Sequence, residues 1–383
     1  MLLTKGFEVE VYTGTPDGQV VGLSDRIVSN LSGFVREPDS RNVEYTTAPF
    51  CRYERLLCEL VQPRIKLRRY LKTLGDYTLI PGSTLSLSGS DRFYRSDPDN
   101  PYHSYIEQTY GTSVVTASIH INIGIDDPDV LMRACRLVRV EAPLYLALSA
   151  SSPFLDGQPT GHHSTRWYTF PKTPAHVPLF ESHRHYIEWT EAQLAAGTMQ
   201  NVRHLWDSVR PNGDRRPYQL NRLELRICDL VTDPISLLAI TALLESRIMQ
   251  AIATPDLDPL QASQLPSASR ADDLVTLTNN NERAAAHQSL NAQLRRWQDG
   301  QPVSAHDWVQ ELYQQVWPTA KSSGIGCFLL PIQRILKQGN EAQQWLTQHD
   351  SLGNAQSVLQ EGIKTMVKQE AVLEDELCQP LVA

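Results

Sequence analysis

The chain has 383 residues, a formal net charge of −8, and 41% hydrophobic against 20% charged residues, the profile of an ordinary globular protein able to bury a sizeable core. An acidic balance with no long Lys/Arg run argues against a nucleic-acid or membrane surface as main partner, which leaves small-molecule chemistry. The opening Met1-Leu2-Leu3-Thr4-Lys5-Gly6 has too few apolar residues for a signal peptide and no stretch approaches spanning length, so a cytoplasmic protein is expected. Cys51, Cys58, Cys135, Cys228, Cys327 and Cys378 are widely spaced without a C-x-x-C pair. Neither a disulfide framework nor a zinc site is suggested, and most read as small buried hydrophobes.

In chain order, the first strand is expected at 7–12, within Gly6-Phe7-Glu8-Val9-Glu10-Val11. Side chains at i and i+2 share one face of a strand, so Glu8 and Glu10 project together while Phe7, Val9 and Val11 pack behind. A second acidic segment runs from Glu37 to Glu44 across Pro38-Asp39-Ser40 and enters a strand at about 42–47. An amphipathic helix follows at 51–74. The stretch from Pro81 to Pro101, rich in Ser, Gly, Asp and Pro, reads as a long loop of the kind that is often functional.

A strand at 114–125 places His120 and Asn122 on one face. Helical periodicity covers 129–149, but Pro143 predicts a break and hence two short helices. The chain then turns irregular through Gly161-His162-His163-Ser164-Thr165-Arg166, returns to helix at 181–195 and to a strand at 222–230 that carries Glu224 and Arg226. From Pro234 onward it reads as helix, broken by loops at 254–269 and 299–304.

Taken singly these features have bland explanations: the acidic turn is a solvated turn, and a lone core histidine is more often hydrogen-bonded than ligating. Gathered on one sheet face, the carboxylates repel and are stable mainly with cations among them. Oxygen donors with one imidazole suit Mg²⁺ or Mn²⁺, and the absence of clustered thiolates disfavours zinc or iron–sulfur chemistry. Neither a Walker A loop nor G-x-G-x-x-G occurs, so bound ATP would be held through metals and arginines.

In order and approximate spacing these segments resemble the glutamate–cysteine ligase and carboxylate–amine ligase family, with its glutamine-synthetase-like fold. Gly6 to Glu10 is similar to its first metal-binding strand, Glu37 to Pro49 to its second acidic segment, and His120-Ile121-Asn122 to its central strand. Ser149 to Phe154 with Gly157, Gly161, Ser164 and Arg166 resembles its substrate loop, Arg222 to Arg226 with Asp229 its late Glu-x-Arg strand, and Asn281-Glu282-Arg283-Ala284 a family helix. Length and the helical C-terminal third look most like the cyanobacterial type.

The resemblance implies an α+β fold in which an antiparallel sheet forms a curved active-site face packed with helices. It implies one catalytic domain over 1–383, with the site in 1–233 and a mainly helical part in 234–383. It further implies that ATP phosphorylates the γ-carboxylate of glutamate and that the cysteine amine then attacks, giving γ-glutamylcysteine for glutathione synthesis. One metal would be held by Glu10, Glu37 and Glu44 and another by Glu8, His120 and Glu224. Arg226 would stabilise the transferring phosphoryl group, and Arg166, Asn122 and Ser151 would contact substrate. Two departures matter: Ser151 stands where many relatives have Asn, and Asp39 competes with Glu37 as a ligand. The rival readings are a ligase for another amine and a non-catalytic metabolite-binding protein on the same fold.

Overall fold

The computed structural model describes residues 2–265 and 270–377. Nine strands precede the helical C-terminal part: β1 Lys5–Gly14, β2 Phe34–Arg36, β3 Asn42–Thr46, β4 Thr78–Ile80, β5 Ile119–Gly124, β6 Phe154–Leu155, β7 Gln158–Pro159, β8 Val209–Asn212 and β9 Arg222–Leu225. Seven form one antiparallel sheet in the order β2-β3-β1-β5-β9-β8, with β4 also pairing β1, and β6–β7 is a separate hairpin. The sequence pattern anticipates β1, β3, β5 and β9 and misses β2, β4 and β8. β5 and β9 are shorter than expected, and residues 111–114 form a 3₁₀ turn.

Register turns the alternation into a two-faced sheet. Glu10 lies opposite Glu44, Glu8 opposite His120, Asn122 opposite Glu224, and Glu224 opposite Arg210. On the other face Phe7, Val9, Val11, Val43, Ile121 and Leu225 are buried, joining one apolar cluster with the helices Tyr53–Leu74, Pro128–Ser149 and Pro234–Ala253. That burial drives the layering at roughly 25 cal/mol per Å² of apolar surface removed from water.

One helix expectation is corrected and one helix is added. Residues Pro128–Ser149 form one helix, not two, although Pro143 lies inside it. A mid-helix proline costs about 3 kcal/mol, but every residue from Ala134 to Ser149 is buried, and packing outweighs the lost backbone bond. Asp127 caps its start by accepting from the amides of Asp129 and Val130. The long loop expected from Pro81 to Pro101 is present over residues 81–100, and the helix that follows it at Pro101–Tyr110, capped by Asn100 with Pro101 in its first turn, is not anticipated by the sequence pattern.

The C-terminal part is helical apart from a small hairpin, Gln293–Arg295 with Pro302–Ser304. Contrary to the expectation that no stretch approaches spanning length, Pro234–Ala253 is long and apolar enough to cross a membrane; 72% of its most apolar window is buried inside the fold, the mark of a core helix. This helix supplies Glu245 to a buried knot. Lys5 Nζ sits 2.8 Å from Glu245 Oε2, Tyr53 donates its hydroxyl to the same oxygen at 2.7 Å, and the Leu3 amide donates to Oε1 at 2.7 Å.

The cysteine expectation also changes. Cys58 is disulfide-bonded, Cys51 and Cys327 are free and exposed, and only Cys135 and Cys228 are free and buried. Sequence spacing misses the bridge because disulfide pairing depends on distances created by the fold. Cys378 lies outside the described residues.

Candidate active site

The polar face of the sheet is built by β1, β3, β5, β8 and β9. Among the described residues two groups of three potential metal ligands form on it, Glu8 with His120 and Glu224, and Glu10 with Glu37 and Glu44, the donor atoms of each group within 4.8 Å of one another. His120 Nδ1 lies 3.1 Å from Glu8 Oε2 and 3.4 Å from Glu224 Oε1. Ser118 joins the groups, its hydroxyl donating to Glu10 Oε2 at 2.7 Å and lying 3.1 Å from His120 Nε2. Asn122 donates to Glu8 Oε1 at 3.2 Å, and its own Oδ1 is buried without a partner.

Glu37 and Asp39 go separate ways. Asp39 accepts Arg41 Nε and Nη2, both at 2.8 Å, and the Tyr94 amide at 2.8 Å. Its oxygens are committed to fixing the turn, while Glu37 reaches the acidic group.

Glu224 is fully buried and heavily compensated. Arg210 donates to both of its oxygens at 2.6 and 3.1 Å, Asn212 to Oε2 at 2.7 Å, and Arg226 to Oε1 at 2.5 Å. Burial opposes ionisation, but Arg210, Arg226 and His120 together hold its carboxyl well below the usual range. At Glu8, burial and Glu224 push upward, and the hydrogen bond and charge of His120 with Arg210 outweigh them. At Glu37 and Glu44 the opposing charge of Arg226 is outweighed. Burial, then Glu8, Glu10 and Glu224, push Glu44 up to about 8. Burial, then Glu10 and Glu44, push Glu37 well above its ordinary value.

Arg210 and Asn212 were missed in the sequence. They carry the same i, i+2 signal as Glu224 and Arg226, but Pro211 between them hides the strand, a residue tolerated here because β8 is an edge.

Two cavities flank the metal-competent face. Because β1 and β5 are antiparallel, Gly6 and Asn122 mark one end of the face and Glu10 and Ser118 the other, with Glu8 and His120 between. At the first end a cavity of about 490 Å³ is bordered by Gly6, Glu8, Thr46, Thr47 and Asn122. At the second a cavity of about 340 Å³ is bordered by Glu10, Glu37 and four arginines, Arg36, Arg166, Arg203 and Arg226, with Tyr102, Phe170 and Trp206 on its walls.

Arg166 is 2% exposed; its Nη atoms donate to the carbonyls of Ile227 and Arg226 at 3.1 and 3.0 Å, and its Nε is buried without a partner. Ser151 is not brought to either cavity. It is fully buried, its amide donates to Asp229 Oδ2 at 2.9 Å and its hydroxyl to the Leu230 carbonyl at 2.9 Å. Asp229 also accepts the hydroxyls of Ser152 and Ser164, so Ser151 helps tie the 149–166 loop to the segment that follows β9, with its amide and hydroxyl both engaged there.

The comparisons with known proteins agree with this architecture. The family described as glutamate-cysteine ligase family 2 (GCS2) matches residues 4–369. A protein of Sorangium cellulosum named "Putative glutamate--cysteine ligase 2" is 29% identical over 321 residues, covering 82% of this chain and 81% of that one. One of the same name from Herpetosiphon aurantiacus is 26% identical over 321 residues, covering 80% and 79%. Among solved structures, the glutamate–cysteine ligase of Francisella tularensis in complex with AMP superposes with a TM-score of 0.72 at 12% identity, covering 97% of this chain and 89% of that one. A bifunctional glutathione synthetase from Pasteurella multocida gives 0.74 at 14% identity, with 98% of this chain covering 53% of that longer one. At such identities the structural likeness is one of fold, the expected α+β glutamine-synthetase-like arrangement. The match over nearly its whole length settles membership: this chain belongs to glutamate–cysteine ligase family 2.

Proposed function

We propose that the protein joins L-glutamate to L-cysteine at the expense of ATP, giving γ-glutamylcysteine, the first step of glutathione synthesis in the cytoplasm. The observation that carries this reading is the convergence of the two three-ligand groups on one sheet face, beside an arginine-lined cavity. The donor set fits hard divalent cations: five carboxylates and one imidazole, with Glu37 and Glu44 pushed upward by burial and neighbouring carboxylates that Arg226 only partly offsets. When bound, Mg²⁺ or Mn²⁺ neutralises phosphate charge and aligns an in-line transfer.

The chain's own residues supply the remaining functions. Four arginines around the smaller cavity suit the carboxylates of two amino acids, and the larger cavity, with Gly6 and Thr47 on its wall, leaves room for the nucleotide. Arg226 lies beside Glu224 and steadies the phosphoryl group as it moves to the γ-carboxylate. Arg166 offers its unpartnered Nε to the glutamate α-carboxylate. Asn122 positions Glu8 and offers Oδ1 to the nucleotide side. Every one of these side chains falls before residue 233, and the helices after it support the sheet from behind.

The test is ATP hydrolysis with glutamate and a panel of amines, with product identified by mass. Cysteine should give the highest kcat/KM and 2-aminobutyrate a lower one, since losing one sulfur contact costs about 1–3 kcal/mol. A larger amine outperforming cysteine would make the chain a ligase for that amine instead.

A second expectation follows from Glu44. Its folded carboxyl keeps a proton up to about pH 8, whereas in the unfolded chain the proton leaves near about pH 4.3. Between those values the folded state binds more protons, so metal-free stability falls as pH rises. A cation replacing that proton reverses the penalty. The Mg²⁺-induced rise in Tm should therefore be larger at pH 8.5 than at pH 6, and Glu44→Gln should shrink the difference, Glu37 being pushed up in the same group. Equal shifts at both pH values in the unaltered protein would mean that no cation displaces this proton.

A further inference from the structure

The smaller cavity contains an imidazole that the metal face does not use. His103 lies in the first turn of the Pro101–Tyr110 helix, is 8% exposed, and borders the cavity together with Glu10, Glu37, Arg166 and Arg226. Its Nδ1 is 3.3 Å from the Ser96 hydroxyl, and its Nε2 has no hydrogen-bond partner among the described residues. Ser96 is itself held twice by the ligand-bearing turn: its amide donates to the Pro38 carbonyl at 2.9 Å, and its hydroxyl donates to the Glu37 carbonyl.

That arrangement fixes the tautomer. A serine hydroxyl has one proton, and here it is given to the Glu37 carbonyl, so toward His103 the oxygen can only accept. Nδ1 therefore carries the ring proton, and Nε2 presents a lone pair. A base oriented by a second group through its other nitrogen is the arrangement that proton abstraction requires. Burial holds the imidazole below the ordinary histidine value; of the charges facing it, Asp97 pulls it up while Arg95 and Arg36 pull it down. It is neutral near pH 7 and able to accept a proton.

We propose that His103 is the general base that deprotonates the acceptor amine, with Ser96 as its positioning residue. The inference rests on the ligase reading given above and adds a step to it. The acceptor arrives as an ammonium ion, which has no lone pair to attack with. It gives one proton to His103 Nε2, and the freed pair forms the C–N bond at the acyl phosphate carbonyl. The acyl C–O bond breaks with its electrons going to phosphate, which takes a second proton from the nitrogen as the amide forms. His103 then returns the first proton to solvent, so that ammonium and acyl phosphate become amide, hydrogen phosphate and one released proton.

Hydroxylamine separates this step from phosphoryl transfer, because it is already neutral at pH 7 and needs no base. His103→Asn keeps a donor for Ser96 and removes the base. The variant should lose about 10²–10⁴-fold in kcat with cysteine at pH 7, while ATP- and glutamate-dependent γ-glutamyl hydroxamate formation is unchanged. The deficit with cysteine should shrink as pH rises and the free amine deprotonates in solution. Ser96→Ala should give a smaller loss of the same selectivity. Retained cysteine turnover in His103→Asn, or an equal loss with cysteine and hydroxylamine, overturns the assignment. Absence of hydroxamate in the unaltered enzyme would instead remove the ligase reading itself.

Discussion

Replacing Glu10 with Gln is expected to abolish Mg²⁺-dependent turnover and leave the melting temperature unchanged or higher, whereas Glu224→Gln is expected to lose both activity and stability. Glu10 lies in the acidic group with Glu37 and Glu44, so removing its charge relieves repulsion, and the glutamine oxygen can still accept from Ser118. Glu224 is the counter-ion of two guanidiniums, the buried Arg210 and the half-buried Arg226. Neutralising it strands both, and breaking a buried ion pair from one side costs about 3–5 kcal/mol. Thermal unfolding alongside glutamate-dependent ATP hydrolysis separates the two variants. A Glu224→Gln protein that melts like the unaltered one would show that its arginines find other partners.

Arg226→Lys is expected to lower kcat by about 10²–10³-fold, the usual loss when one preorganised donor to a developing charge is removed, with little change in KM for glutamate. Lysine keeps the charge but cannot serve Glu224 and a phosphoryl oxygen with a planar fork. Arg166→Lys should act differently. Two of its donors hold the backbone carbonyls of Arg226 and Ile227, so the substitution should raise KM for glutamate and also destabilise the fold by about 1–3 kcal/mol. Steady-state kinetics with urea unfolding tests both. Equal, small kinetic effects would remove the two arginines from the reaction.

The sequence exposed the strand-borne part of the site because a strand's period of two is written directly in its residues. Glu8 with Glu10, His120 with Asn122 and Glu224 with Arg226 needed only that rule to be placed on a common face. The choice between Glu37 and Asp39 was not legible, since it turns on Arg41 and Tyr94 claiming the aspartate in space. The burial of Ser151 was not legible because a loop motif does not say which of its serines point inward; here Asp229 takes the Ser151 amide and the Ser152 and Ser164 hydroxyls, and the Leu230 carbonyl takes the Ser151 hydroxyl. His103 carries no motif at all. Its interest comes from Ser96 and Glu37, which meet only when a loop folds back onto the acidic turn. The same limit explains Pro143, where local preference for a break yields to a helix buried on all sides.

The Lys5–Glu245 pair has a consequence for how the strand finds its place. Sliding β1 by one residue turns every side chain to the wrong face and is rejected by the hydrophobic core. Sliding it by two keeps charges out and aliphatics in, and would bring Glu10 opposite His120 with no penalty from patterning. Lys5 shares the inward face with Phe7 and Val9, and it meets its carboxylate in only one of these alignments. A two-residue shift would leave a buried ammonium and a buried carboxylate apart. The pair thus serves as an index mark, distinguishing alignments that alternation alone treats as equal. The spacing of ligands on the outer face is thereby set from inside the core, by residues that never touch a substrate.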